Sequence, residues 1–404
     1  MRFIHTSDWH LGQHLMTRSR QPEHEKFLNW LLQQISNREI DTLLVGGDIF
    51  DTGTPPGYAQ KMYYDFLCRL ASAGCRRAFV IGGNHDSPAF LEASRQILEH
   101  LNISVIPRAT EDPEDLISLC SDANGLPEAI VAAVPFLRDR DVRKSQAGES
   151  YDEKALAVNK GIAGFYEQIS DMVAKIKADK KLNVPVIATG HLYVAGCSTS
   201  ESVRELNIGN LGAIRLADLE NRFDYLALGH LHKAQLVGGN ELVRYCGSPV
   251  PMNFEESLQP CRIIVGDTSN GMKVEEVEVP QFQKMVLLKG SYEEILNGLG
   301  ELDDNPCWIE VQCTDEKEIP QLGQTLRDKV EGSNHEILAV KQLRKFFPGL
   351  SADEFNSNNL NELKPEEVFA KRLESETDMS EDEQADLKAA FNELLQMVYA
   401  GEKP

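Results

Sequence analysis

From residue 1 to about 270 the chain repeats one pattern. An apolar, β-branched run closes on glycine or a small polar residue, and an ionisable or amide side chain follows. The instances are "FIHTSDWH", "TLLVGGDIFD", "AFVIGGNHD", "PVIATGH" and "YLALGH". Between the first three, apolar residues recur at helical spacing over 23–35, 58–70 and 88–101. The last of these starts with proline in its first turn, where the missing N–H is harmless. Strand alternating with helix predicts an α/β sheet that binds ligands beyond the carboxyl ends of its strands. Each polar cluster falls at such an end. The later runs "LVRYCGSP", "CRIIVGD" and "KVEEVEV" have no helices between them, which predicts a mixed sheet or two packed sheets.

After "VPQFQ" the pattern changes. "KMVLLKG", "SYEEILNGLGEL", "CWIEVQC", "IPQLGQTLRDKVEG" and "HEILAVKQL" predict β-α-β-α-β, a compact second unit over 283–345. The short basic stretch "KQLRKFFPG" closes it, and "SADEFNSNNLNE" has the composition of a linker. Two amphipathic helical segments follow within 346–404. One places Val368, Phe369 and Leu373 near one face. The other begins with a serine cap and aligns Leu387, Phe391, Leu394, Leu395 and Val398. The expected division is 1–275, 283–345 and 346–404.

A chain of 404 residues exceeds what one hydrophobic core usually supports, in keeping with two or three units. No apolar run is long enough to span a bilayer, and "MRFIHTSDWH" lacks the apolar centre of a signal peptide, so the expected location is the cytoplasm. Eight scattered cysteines without a CxxC pair suggest neither a thiolate zinc knuckle nor a disulfide scaffold. The net charge of −22 argues against nonspecific attraction to a polyanion. Bound divalent cations and a local basic groove can reverse the sign where it matters. Residues 351–404 hold 14 Asp and Glu against 5 Lys and Arg, so that segment carries −9.

Each polar cluster alone has an ordinary explanation. Asp8 and His10 follow a strand, where aspartate often caps a turn. Asp48 and Asp51, and the run Asn84, His85 and Asp86, fit turns as well, and a lone His191 is more often hydrogen-bonded than metal-bound. His230 and His232 are the exception, because residues two apart in an extended chain point the same way. Taken together, imidazoles and carboxylates concentrate on one predicted sheet edge. Neutral imidazole and carboxylate suit manganese, iron and zinc, and the absence of cysteine from these segments disfavours a structural zinc site. Asp8, His10, Asp48, Asn84, His191, His230 and His232 give seven donors, enough for two ions if one carboxylate bridges. Two metals about 3.5–4 Å apart clamp a phosphoryl group for in-line displacement.

The order "SDWH", "GDIFD", "GNHD", "GH", "GHLH" resembles the signature of the calcineurin-like metallophosphoesterases. The surrounding "HTSDWHLGQ", "GDIFDTGTPP", "GNHDSP", "PFLRDRDV" and "YCGSPVPMNFEE" resemble, within that superfamily, bacterial nuclease subunits that work with an SbcC-type ATPase. The resemblance implies a two-sheet core with helices outside, a small α+β capping unit that helps position DNA, and a helical tail that docks on the ATPase. It implies that Asp8, His10 and His232 hold one metal, Asn84, His191 and His230 the other, and that Asp48 bridges. His85 would stabilise or protonate the leaving oxygen, with Asp86 orienting its ring. Counterparts elsewhere in the superfamily commonly carry histidine where this chain has Asp51, which leaves the role of that position open. Manganese and a homodimer within a heterotetramer are also implied.

Arg18, Arg20, Arg138, Arg140, Arg143 and Lys144 are candidate phosphate contacts near the metals. Pairing with neighbours such as Asp139 and Asp141 is the alternative. The expected activity is DNA phosphodiester hydrolysis: exonuclease on duplex ends, endonuclease on single strands and hairpins, in repair, replication and recombination. Alternatives are a phosphatase or small-molecule phosphodiesterase of the same superfamily, and a non-catalytic subunit that tethers DNA ends. No Gly-x-x-x-x-Gly-Lys-Ser/Thr loop is present, so no nucleotide is expected on this chain and any ATP dependence comes from another.

Overall fold

The computed structural model of the chain describes residues 1–143, 148–198, 213–219, 221–317 and 319–343, together with Leu387 and Phe391. In chain order the strands are β1 (Arg2–Thr6), β2 (His14–Leu15), β3 (Arg18–Ser19), β4 (Thr42–Val45), β5 (Arg77–Ile81), β6 (Ile103–Ile106), β7 (Ile117–Ser121), β8 (Pro127–Ala132) and β9 (Val186–His191). There follow β10 (Tyr225–Gly229), β11 (Gln235–Val237), β12 (Asn240–Tyr245), β13 (Arg262–Asp267), β14 (Lys273–Glu278), β15 (Lys284–Gly290), β16 (Cys307–Cys313) and β17 (Glu336–Gln342). One six-stranded sheet runs β14-β13-β1-β4-β5-β6 and the other β11-β12-β10-β9-β8-β7. The inner strands of each are parallel. Antiparallel strands close the edges, β13 and β14 on the first sheet, β7 and β11 on the second.

The two sheets pack face to face because their strands alternate between two cores. Phe3, Leu44, Phe79 and Ile81 of the first sheet meet Ala129, Val131, Ile187, Tyr225 and Ala227 of the second. Their neighbours Ile4, Leu43, Val45, Ala78 and Val80 face outward, onto helices Gln21–Asn37 and Gly57–Arg69. Ile130, Ala132, Ala188, Leu226 and Leu228 likewise face helix Tyr151–Asp179. Both faces of the inner strands are thus buried, which is why these strands read as unbroken apolar runs. The result is two packed mixed sheets with helices on the outside.

β15, β16 and β17 form a parallel three-stranded sheet. Helices Tyr292–Gly300 and Leu322–Val330 cover one face, over a core that includes Ile295, Ile309, Val311 and Leu326. On the other face Met285, Leu287, Trp308 and Leu338 meet Leu15 and Phe254 of the main body. Arg20 lies in this seam with no exposure. It pairs with Glu23, donates from Nη1 to the Pro251 carbonyl at 2.7 Å, and has its guanidinium 5.8 Å from the Trp308 ring centroid.

Two helical expectations need correction. The segment 88–101 is two short helices, Pro88–Ala93 and Arg95–Glu99, divided at Ser94, whose hydroxyl accepts from Tyr64 Oη at 3.2 Å. The 29-residue helix Tyr151–Asp179 was not expected at all. Its signals are in the chain: a capping box between Ser150 and Glu153, then Val158, Ile162, Phe165, Tyr166, Ile169 and Val173 buried at helical spacing. The linker and most of the tail lie outside the described residues. No described helix is long and apolar enough to cross a membrane, and the eight cysteines are free thiols.

Two buried histidines make the fold acid-sensitive. His5 places Nδ1 2.9 Å from Tyr225 Oη and Nε2 3.2 Å from the Leu228 carbonyl, so a neutral ring satisfies both. Among the described residues neither ring nitrogen of His24 has a hydrogen-bond partner. Burial is the main cause that lowers both from 6.5 to about 3. Each is neutral when folded and gains a proton on unfolding below its ordinary value. The stability it contributes is therefore complete above about pH 6.5 and lost as pH falls toward 3. At pH 5 the loss is about 2 kcal/mol for each ring. Urea midpoints measured at pH 7.5 and pH 5 should differ accordingly, and equal midpoints would refute the account.

Candidate metal centre

The five donor segments leave β1, β4, β5, β9 and β10, and the turns that carry them are unusual. Asp8, His10, Asp48 and His230 have φ values of 54°, 46°, 50° and 100°. Non-glycine residues hold such conformations only where the surroundings impose them, and functional sites are where they collect. Here two backbone bonds impose them in part, Asp8 N to the Gly47 carbonyl at 2.9 Å and His10 N to the Asp48 carbonyl at 3.0 Å. Glycine is needed where segments touch. A Cβ at Gly83 would lie 2.1 Å from Asp48 Oδ1, and one at Gly229 would lie 2.1 Å from the Gly46 carbonyl.

These turns bring seven side chains together. Asp8, His10 and His232 form one group whose potential ligand atoms all lie within 4.8 Å of one another, and Asp48, His191 and His230 form another. Asn84 joins the second, its Oδ1 2.8 Å from His191 Nε2 and 3.1 Å from His230 Nδ1. Asp48 lies between the groups, with Oδ2 3.2 Å from His191 Nε2 and 3.8 Å from His10 Nε2. His230 and His232, two apart in the chain, fall in different groups.

The chemistry of this donor set fits cations. Both ring nitrogens of His10 and the Nε2 atoms of His85 and His230 are buried without a hydrogen-bond partner among the described residues. Such atoms cost free energy unless something binds them. The His191 Nδ1–H donates to the Gly46 carbonyl at 2.8 Å, which turns Nε2 inward. Burial works against a charge on His191, yet the Asp48 carboxylate outweighs it and raises the ring to about 9. Burial likewise opposes the charge on Asp48, and His191, with His10 and His85 behind it, holds the carboxyl well below its ordinary range. His230 is lowered to about 3 by burial first and by the neighbouring His191 second. Burial pulls His232 down, but Glu256, whose Oε1 lies 3.4 Å from Nδ1, raises it overall.

His85 sits beside the first group, its ring centroid 4.9 Å from that of His10. Its Nδ1 is 2.8 Å from the Asp51 carbonyl, so the backbone of Asp51 orients the ring. This corrects the expectation for Asp86, whose carboxylate accepts from the backbone N–H groups of Ile49, Phe50 and Gly83. Asp86 braces the turn that carries Asp48. The Asp51 carboxylate lies 3.5 Å from His10 Nδ1.

The basic candidates separate. Arg20 is fully buried against Glu23, away from any surface that DNA could touch. Arg18 pairs across the seam with Glu336, its Nε at 2.9 Å. Arg143 is held by Glu149 at 2.7 Å and by Asp139. Arg140 is mostly exposed, 3.8 Å from Asp141. Arg138 stands over Phe136, which itself contacts His191. Lys144 lies outside the described residues. Sequence reasoning did not single out Ser248 and Glu256, which touch the site from "GSPVPMNFEE". Ser248 Oγ donates to the Asp8 carbonyl at 2.8 Å. Only tertiary contact reveals them.

Comparison with known proteins agrees with this geometry. Residues 1–234 match the family described as calcineurin-like phosphoesterase, and residues 281–377 match the type 5 capsule protein repressor C-terminal domain. The chain is 38% identical over 408 residues to SbcD, the D component of the SbcCD nuclease, of Escherichia coli K12, covering 100% of this chain and 99% of that protein. The SbcD proteins of Bacillus subtilis and Rhodobacter capsulatus are 30% and 33% identical. They cover 77% and 71% of this chain and 78% and 71% of their own lengths. With donors from five strand ends gathered in two groups and a relative matched from end to end, the chain belongs to the calcineurin-like phosphoesterases, metal-dependent hydrolases of phosphate esters, and within them to the SbcD family.

Proposed function

We propose that this chain is the nuclease component of an SbcCD-type complex, a two-metal DNA phosphodiesterase. It acts as an exonuclease on duplex ends and an endonuclease on single strands and hairpins, with an SbcC-type ATPase, in DNA repair, replication and recombination. The full-length identity to a protein named as part of a nuclease supports the substrate. The observation that carries the chemistry is the pair of donor groups meeting at Asp48. In this reading Asp8, His10 and His232 hold one ion, Asn84, His191 and His230 the other, and Asp48 serves both. Manganese is the proposed ion, since imidazole, carboxylate and amide oxygen suit it. When bound, the ions supply charge neutralisation at the phosphoryl oxygens and a more acidic water.

The chain's own residues do the rest. His191 keeps its Nε2 inward because the Gly46 carbonyl holds Nδ1, and His230 turns Nδ1 toward the same Asn84 Oδ1 that meets His191 Nε2. The Asp51 carbonyl accepts the Nδ1–H of His85, so when the ring carries a second proton its Nε2–H is the bond that breaks to protonate the leaving oxygen, returning a neutral imidazole. Two chains and two ATPase subunits form a cytoplasmic heterotetramer, with the three-stranded sheet of 283–345 positioning DNA and the 346–404 segment docking on the ATPase. The purified chain with manganese should cleave a DNA hairpin much faster than a nitrophenyl phosphate ester. The reverse preference would favour a phosphatase, and inertness on both would favour a tethering role.

A further inference from the structure

We infer that Glu256 is a positioning residue for one cation of the pair: it fixes the His232 ring so that Nε2 faces Asp8 and His10. The inference rests on the reading that Asp8, His10 and His232 form a cation site. Glu256 Oε1 stands 3.4 Å from His232 Nδ1, with side-chain exposures of 7% and 3%. A carboxylate facing Nδ1 in a dry setting holds the ring proton there and leaves Nε2 as the donor. Glu256 is itself well anchored. Its Oε2 accepts from Met252 N at 2.8 Å, its Oε1 from Asn253 Nδ2 at 3.3 Å, and its own N–H reaches Asn253 Oδ1 at 2.8 Å.

The segment between Gly247 and Glu256 acts as a strap behind this half of the site. Ser248 N donates to the His232 carbonyl at 3.0 Å, and Ser248 Oγ donates to the Asp8 carbonyl. Gln13 Nε2 and Arg20 Nη1 pin the strap at the Met252 and Pro251 carbonyls. The other half is built differently, since His191 is oriented by a neutral oxygen, the Gly46 carbonyl at Nδ1. An anionic partner makes an imidazole a stronger donor than a neutral one does. The two cations are therefore held unequally, and Glu256 is one source of the difference.

The test is Glu256→Gln in the full chain. The amide keeps an acceptor for Met252 N and presents N–H to His232 Nδ1, so the ring proton moves to Nε2, where it blocks ligation. In the cation-free chain at alkaline pH, nitrogen–proton correlation spectra of labelled histidine should show this tautomer change at one ring. Calorimetric titration with manganese should show one of two sites weakened by about 10–100-fold and the other unchanged. Should that variant not fold, Glu256→Asp, which draws the carboxylate back but cannot donate, should weaken the same single site without moving the ring proton to Nε2. An unchanged tautomer with unchanged affinities overturns the inference, as does equal weakening of both sites, which would mark a general role in the fold. Wild-type protein that takes up no manganese would instead overturn the metal assignment beneath it.

Discussion

Asp48→Ala should lower DNA hairpin cleavage by about 10³-fold or more while leaving DNA affinity nearly unchanged. Removing one preorganised charge-stabilising group typically costs about 10²–10³ in rate, and Asp48 belongs to one donor group while lying 3.8 Å from His10 of the other, so in the proposed reading it serves both ions. Its carboxylate also accepts from His85 N at 2.9 Å, so its loss loosens the proton donor as well. The number of manganese ions bound per chain should fall below two. Without Asp48, burial is left to push the His191 ring back down. Thermal unfolding separates a damaged site from a damaged fold. Cleavage at the wild-type rate would remove the bridging role.

His85→Gln tests a different element, the proton that the leaving oxygen needs. General acid catalysis contributes about 10²–10⁴-fold, so hairpin cleavage should drop by that factor with both manganese sites still filled. The ring makes a third potential group with His10 and Asp48, yet the groups Asp8, His10, His232 and Asp48, His191, His230 are each complete without it. A nitrophenyl ester leaves as a stable anion and needs no proton, so its hydrolysis should fall far less. Equal losses on the DNA and the ester would mean that His85 acts on something other than the leaving oxygen.

The fold and the site were legible in the sequence to different depths. Strands such as "TLLVGGD" and "YLALGH" stand out because both of their faces are buried, and the donors stand out because each follows such a strand directly. The division of apolar residues between an inter-sheet core and two helix-facing cores was not legible, because alternation vanishes when both faces are apolar. Charge was the least readable property. Arg18, Arg20 and Arg143 look alike in sequence, yet one spans a seam, one is entombed and one is held by two carboxylates. Which arginine meets which acid depends on contacts such as Arg18 with Glu336, more than 300 positions away. The carboxylate of Asp86 was misread for a related reason. A residue next to a histidine in sequence need not face its ring, and here backbone N–H groups from another turn claim it.

The guanidinium of Arg20 has a mechanical consequence. Both it and Glu23 belong to the main body, so withdrawing the small sheet would return their ion pair to water intact while breaking the contacts of Arg20 with Met285 and Trp308. Hydration of those charges offsets part of what parting Trp308, Met285 and Leu287 from Leu15 and Phe254 costs. An all-hydrocarbon joint would grip harder. Because Phe254 in this joint is two positions from Glu256, which stands 3.4 Å from His232 Nδ1, the seam and the donor groups share one short stretch of chain.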